Sequence, residues 1–151
     1  MKQIQLLIDE NKYSELFSHC FKILEHHQIN ALLYYSCGKY SMHFVTSDRS
    51  KEIISQSYRW LITASQVFKK AGKQQFYYTD TLLYAALACQ LLNDLDRAKS
   101  IYREILSRDN RVVTAWYNLG VISELQGSAD ESLRAFDRYL RLIDTSTKSD
   151  F

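Results

Sequence analysis

The chain has 151 residues, enough for one domain with a substantial core, and its 46% hydrophobic and 24% charged residues are ordinary for a globular protein. The formal net charge of +2 is too balanced to predict nucleic-acid binding through phosphate neutralisation. The sequence has no run of about 18 apolar residues, so no membrane span is predicted. Residues 1–10 lack the small-residue cleavage site of a signal peptide, and a cytoplasmic protein is therefore expected.

The first predicted elements are a short helix over residues 1–9 and a longer helix that begins after Asn11 and Lys12. The chain has no proline and only 4 glycines, and both residues interrupt helices, so their scarcity favours long uninterrupted ones. Leu16, Cys20 and Ile23 recur at helical spacing along the second helix. These two helices form a first unit of residues 1–30.

A second unit covers residues 31–78, with a helix over residues 31–43 and another over residues 50–71 that Gly72 ends. The unit is longer than those that follow it, and the extra residues are predicted to lie between its helices, at 44–57. Whether this insertion has a function is left open. In the repeat register, Gly38 takes the position of Gly120 in the last unit, and Ala64, Phe68 and Ala71 take the positions of Ser132, Phe136 and Tyr139.

Two further units, residues 79–112 and 113–146, align with each other at an offset of 34 residues without a gap. Turn-forming residues separate the two helices within each unit, at 93–96 and at 126–130. The aligned pairs include Leu82 with Trp116, Ala86 with Gly120, Ala98 with Ser132 and Tyr102 with Phe136.

The period and these residues resemble the tetratricopeptide repeat family, whose unit is a helix–turn–helix of 34 residues. Residues 115–120 read Ala-Trp-Tyr-Asn-Leu-Gly, close to the family's first helix, and residues 96–102 resemble its second. The resemblance implies an all-α, right-handed superhelical solenoid of antiparallel helix pairs. It would form a single domain over residues 1–146, followed by a flexible tail at 147–151.

The three cysteines are an odd number and have no C-x-x-C spacing, which argues against both a disulfide framework and a zinc site. In the repeat register Cys20, Cys37 and Cys89 face the core. The sequence therefore predicts three buried thiols that act as small hydrophobic residues.

No catalytic motif or phosphate-binding loop is present, and the four histidines do not have the spacing of a helical metal site. The sequence therefore predicts no enzyme activity, no metal and no cofactor. Arg134, Arg138 and Arg141 form a basic stripe on the last helix. This stripe could bind phosphate or an acidic partner, but neighbouring acids such as Asp137 favour a solvated face.

In the tetratricopeptide family the first helix of each unit lines a concave groove, and the resemblance implies which positions do so here. Apolar residues recur at several of these positions, where polar surface would be expected, and such strips mark interaction sites. Asn118 also matches one residue of the family's carboxylate clamp, although the rest of that clamp is absent. The predicted groove residues are Leu32, Tyr35, Lys39, Met42, Leu83, Leu87, Gln90, Tyr117, Asn118, Val121 and Glu124.

These features predict an adaptor or scaffold that binds a peptide or helix of another protein in its concave groove. One alternative is a dedicated chaperone of a secreted or assembly-bound protein. Another is a structural subunit of a larger complex. In that case exposed residues of the last helix, such as Leu133 and Leu140, would contact a second copy or a capping partner. No nucleic acid and no membrane span are expected.

Overall fold

The computed structural model describes residues 2–10, 12–26, 30–42, 50–72 and 75–148, and every regular element in these ranges is a helix. The predicted all-α class is therefore confirmed for the described part of the chain. No helix there combines the length and apolar character needed to cross a bilayer. The helices are α1 Lys2–Asp9, α2 Tyr13–His26, α3 Ala31–Ser41, α4 Ser50–Ala71, α5 Gln75–Leu91, α6 Leu95–Arg108, α7 Val113–Leu125 and α8 Ala129–Lys148.

The helices group into two compact units, residues 1–93 and residues 94–151. The boundary lies between α5 and α6, inside the predicted repeat of residues 79–112. The single domain predicted for residues 1–146 therefore stays a prediction, and the two units are described separately.

In the first unit each helix packs against the next one along the chain, and α3 also contacts α5. The core around α2 contains residues from the first four helices, with Trp60 of α4 buried among them. The Trp60 ring lies 5.4 Å from the ring of Phe17 and 6.4 Å from that of Phe21. The long helix α4 is thus packed against the N-terminal helices, and its first described turns bury Ile53 and Ile54.

The contact between α3 and α4 corrects the predicted register of the second unit. A Cβ atom on Gly38 would lie 2.6 Å from Leu61 Cγ and 3.0 Å from the carbonyl oxygen of Ser57. Leu61 therefore lies opposite Gly38, at the position to which the repeat register assigned Phe68, and Ala71 is exposed. The stripe of α4 repeats at seven-residue intervals, so two registers fit the sequence and only the packing distinguishes them.

The position of the insertion changes with this register. Residues 50–57 are helical and belong to α4, while residues 43–49 lie outside the described ranges. Gly38 and Leu61 are separated by seven more residues than the equivalent Gly120 and Phe136. Half of the extra length therefore precedes the α3–α4 contact, and the other half follows it.

A disulfide joins Cys20 of α2 to Cys37 of α3, with Cα atoms 5.7 Å apart. Burial of all three cysteines is confirmed, but the prediction that Cys20 and Cys37 are thiols was wrong. They are 17 residues apart in sequence, on neighbouring helices whose core faces meet. Cys89 lies outside this disulfide and is buried on α5.

In the second unit α7 packs against both α6 and α8. A Cβ atom on Gly120 would lie 2.8 Å from the Phe136 ring, which explains a glycine at this helix crossing. Asp94 caps α6 by accepting a hydrogen bond from the Arg97 amide at 3.2 Å. Gly127 has a φ of 73°, the left-handed conformation that suits glycine in the turn before α8.

The C-terminal part of the chain is more regular than predicted. Helix α8 continues to Lys148, so the first two residues of the predicted tail, 147 and 148, are helical. The Thr145 hydroxyl donates hydrogen bonds to the carbonyls of Arg141 at 3.1 Å and Leu142 at 2.9 Å. Residues 149–151 of the predicted tail lie outside the described ranges.

Candidate functional site: two helix faces

Seven predicted groove residues lie on α3 and α5, or at the end of α3, in the first unit. Leu32 and Leu87 are 37% and 39% exposed, Lys39, Leu83 and Gln90 are half-buried, and Tyr35 and Met42 are buried. The structure therefore places Tyr35 and Met42 in the packing rather than on the surface. We call the accessible residues Leu32, Lys39, Leu83, Leu87 and Gln90 the α3/α5 face.

Tyr35, Lys39 and Asp80 form a polar cluster that connects α3 to α5. Lys39 Nζ lies 3.2 Å from Asp80 Oδ2 and donates to the Tyr35 hydroxyl at 2.9 Å, and that hydroxyl donates to Asp80 Oδ2. Tyr35 and Lys39 are neighbours on α3 because they are four residues apart. The side chains of Lys39 and Asp80 are each 22% exposed, so the ion pair is only partly screened by water.

Three tyrosine rings surround the Lys39 ammonium group. Its Nζ lies 5.3 Å from the ring centroid of Tyr35, 5.8 Å from that of Tyr40 and 4.9 Å from that of Tyr84. Such distances allow cation–π attraction. The Tyr35 ring also packs edge-on against Tyr77 at 5.6 Å. Lys39 is therefore a fixed positive charge rather than a mobile surface lysine.

The cluster changes the protonation equilibria of two of its members. Burial, together with the hydrogen bond to Asp80, raises the pKa of Tyr35 to about 12. Burial by itself lowers the pKa of Lys39, but hydrogen bonds to Tyr35 and Asp80 outweigh it and the net pKa is raised. At neutral pH Tyr35 is therefore neutral and Lys39 is charged.

We expect the Tyr35 cluster to lose stability at alkaline pH. The folded chain holds the Tyr35 proton more tightly than the unfolded chain, so this contribution is complete below about pH 10 and is lost as pH rises through about 12. Tyr35→Phe should remove roughly 1–2 kcal/mol of that alkaline decrease in the free energy of unfolding. Urea unfolding measured at a series of pH values tests this.

Tyr34→Phe is the matched control, because it changes the adjacent tyrosine and leaves the contacts of Tyr35 with Asp80 in place. Its pH profile should follow that of the wild type. A Tyr35→Phe profile that also parallels the wild type would show that Tyr35 does not titrate as described.

Four predicted groove residues lie on α7 in the second unit. Tyr117 is 47% exposed, Glu124 is exposed, and Asn118 and Val121 are half-buried. The Asn118 side chain donates from Nδ2 to the Thr114 carbonyl at 2.9 Å, so part of its hydrogen-bonding capacity is used within its own helix. We call these four residues the α7 face.

Tyr117 is held in place by aromatic residues of α8. Its ring centroid lies 6.0 Å from that of Phe136 and 5.4 Å from that of Tyr139. Such aromatic pairs stabilise a defined ring orientation beyond the area they bury. Tyr117 therefore presents an ordered apolar surface with a polar hydroxyl, a combination enriched at protein interfaces.

Tyr77 and Tyr84 of α5 were not predicted as site residues, although both contact α3 residues in the structure. The four-residue spacing of Tyr35 and Lys39 was visible in the sequence. What was not visible is which residue of another helix would face them.

Helix pairs whose first and second helices meet at a glycine or small residue, with ordered apolar residues on the first helices, define a tetratricopeptide-type helical repeat protein. Two crystal structures of MamA are similar to this chain. The first has a TM-score of 0.80 at 17% identity, with 98% of this chain and 78% of MamA covered. The second has a TM-score of 0.79 at 17% identity, with 100% and 75% covered. The likeness establishes the tetratricopeptide-type fold.

No protein-family model and no curated protein sequence matches the chain.

Proposed function

We propose that the chain is an interaction adaptor that binds peptide or helical segments of other proteins, with the α3/α5 face as the contact surface of the first unit and the α7 face as that of the second. The observation that carries this proposal is the exposure of apolar side chains at Leu32, Leu87 and Tyr117, positions where the family resemblance implies partner contact.

The chemistry of the α3/α5 face supports an amphipathic occupant. Leu83 and Leu87 are four residues apart and form one apolar strip on α5, with the Lys39–Asp80 ion pair nearby on α3 and α5. An occupant with apolar residues at helical spacing would cover the leucines. A polar residue beside them would meet the edge of the ion pair.

The α7 face would contribute a second contact of similar character. Tyr117 offers a large, ordered ring, and Val121 lies one helical turn further along α7, beside the exposed carboxylate of Glu124. Aromatic residues that are already ordered lose little conformational entropy when a partner binds. Tyr117 is therefore the residue of this face from which we expect the largest contribution.

Leu87→Glu and Tyr117→Glu should each weaken partner binding at least tenfold, about 1.4 kcal/mol or more, because each places a charge in an apolar contact. Both residues are exposed, so the fold should be kept, as circular dichroism would verify. Partners captured from native extract by the wild type would be purified, and their affinity for each variant measured by calorimetry.

Leu6→Glu is the matched control, because Leu6 is 48% exposed but lies outside both faces. It should bind partners as the wild type does. Wild-type affinity in both face variants would refute the proposal. If only one face variant loses affinity, the binding site is restricted to the face that carries that substitution.

A second candidate function, a structural subunit of a larger assembly, is supported by the last helix. Leu133 and Leu140 of α8 are 69% and 57% exposed, which is unusual for leucines of a helix that packs on a neighbour. Light scattering of the wild type and of Leu133→Glu at several concentrations separates the two functions. A mass that rises with concentration and falls in the variant would favour the assembly role.

A further inference from the structure

A groove of about 570 Å³ lies within the second unit, bordered by α6, α7 and α8. Its residues are distinct from those of the α7 face. The apolar part includes Leu119, which is buried, and Trp116, which is half-buried. The Trp116 indole donates from Nε1 to the Asn110 carbonyl at 2.8 Å, so the ring is held in a fixed orientation at the groove.

Three arginines border this groove, and a single carboxylate accompanies them. Arg103, Arg134 and Arg138 supply the positive charges, and Glu131 is the only acidic residue among the described residues of the lining. Glu131 already pairs with Lys99 at 2.5 Å and with Arg103. Its charge is therefore compensated within the unit, and the pairing with Lys99 and Arg103 holds the pKa of Glu131 below its ordinary value.

Arg134 and Arg138 have no carboxylate partner among the described residues. Arg134 forms no hydrogen bond or ion pair there, and the guanidinium of Arg138 lies 5.8 Å from the centroid of the Trp116 ring. The nearby Asp137 pairs with Arg141 instead, at 2.8 Å. Like charges four residues apart on a helix repel each other, so this pair lowers helix stability unless an anion binds.

We propose that this groove binds an acidic segment of a partner protein, with carboxylates on Arg134 and Arg138 and an apolar side chain on Trp116. The two arginines are separated by one helical turn, about 6 Å along α8. Carboxylates on alternate residues of an extended peptide have a similar spacing. Guanidinium groups bind carboxylates through paired hydrogen bonds, and the apolar floor favours a protein segment over a simple anion.

The probe is a fluorescein-labelled peptide Glu-Ser-Glu-Ser-Leu, whose two glutamates and leucine share one face when the peptide is extended. The peptide Gln-Ser-Gln-Ser-Leu is its neutral match. Fluorescence anisotropy should show that the wild type prefers the acidic peptide. The double variant Arg134→Gln with Arg138→Gln should bind it at least tenfold more weakly. Both arginines are exposed, and circular dichroism would verify that the variant folds.

Arg141→Gln is the matched control on the same helix, and Tyr117→Glu tests independence from the α7 face; both should bind the acidic peptide as the wild type does. Equal binding of the two peptides would overturn the proposal, as would wild-type affinity in the double arginine variant. Tighter binding of a single-stranded oligothymidylate through the same arginines would also overturn it, in favour of nucleic acid.

Discussion

Reduction of the disulfide between Cys20 and Cys37 is expected to lower the free energy of unfolding of the first unit by about 3 kcal/mol. The bond joins residues 17 apart, and closing a loop of this size restricts the unfolded chain more than the folded one. One tryptophan lies in each unit, so Trp116→Phe leaves Trp60 to report on the first unit. Urea unfolding followed by its fluorescence, with and without dithiothreitol, measures the difference.

Two controls separate the disulfide from other effects of the reductant. Cys89→Ala should keep the full response to dithiothreitol, because Cys89 lies outside the bond. Cys20→Ser with Cys37→Ser should show no response at all. Titration of the unfolded, oxidised wild type with a thiol reagent should detect one thiol, and detection of three would refute the disulfide.

Leu61→Ala is expected to destabilise the first unit by roughly 2–5 kcal/mol, because Leu61 is fully buried where α3 and α4 meet. Gly38→Ala should cost roughly 1–3 kcal/mol, since the new Cβ would overlap Leu61 and approach the backbone of Ser57. In the double variant the smaller side chain makes room for the new methyl group. The free-energy cost of the double variant should be roughly 1 kcal/mol below the sum of the two single costs, and the difference should be at least about 0.5 kcal/mol.

The comparison with Phe68 tests the corrected register directly. Phe68 is the residue that the sequence pattern placed opposite Gly38, and it is also buried. Gly38→Ala combined with Phe68→Ala should give additive costs within about 0.5 kcal/mol, because the atoms nearest to a Cβ on Gly38 belong to Leu61 and Ser57 and Phe68 lies about two turns further along α4. Coupling to Phe68 rather than to Leu61 would restore the original register. Denaturant unfolding of the wild type, the three single variants and the two double variants gives the required energies.

Much of the fold could be predicted from local patterns. The bounds of α4, from Ser50 to Ala71, were predicted as observed, and Gly72 follows it with a φ of 66°. The turn before α6 was also predicted. In the structure Asn93 adopts a φ of 60° there, and Asp94 caps the next helix. Such features depend on neighbouring residues in the chain, which is why the sequence can show them.

The candidate sites were predicted less completely. The exposure of Leu87 and Tyr117 agrees with their predicted surface positions, whereas Tyr35 was predicted as an accessible contact and is buried against α5. The basic stripe of α8 was visible, but it divides in the structure: Arg141 pairs with Asp137, while Arg134 and Arg138 border the groove beside Trp116. Which arginine meets an acid depends on side-chain placement that spacing alone does not determine.

The sequence by itself determined that the chain consists of helix pairs and where most of those helices begin and end. It also determined which residues are small where the helices cross. These properties follow from periodicity and capping along the chain. Only the tertiary structure decided that Cys20 bonds to Cys37, that Gly38 meets Leu61, and that Asp80 joins Tyr35 and Lys39. Each of these contacts joins separate helices. A helical stripe that repeats every turn or two allows several alignments between helices, and complementary packing selects one of them.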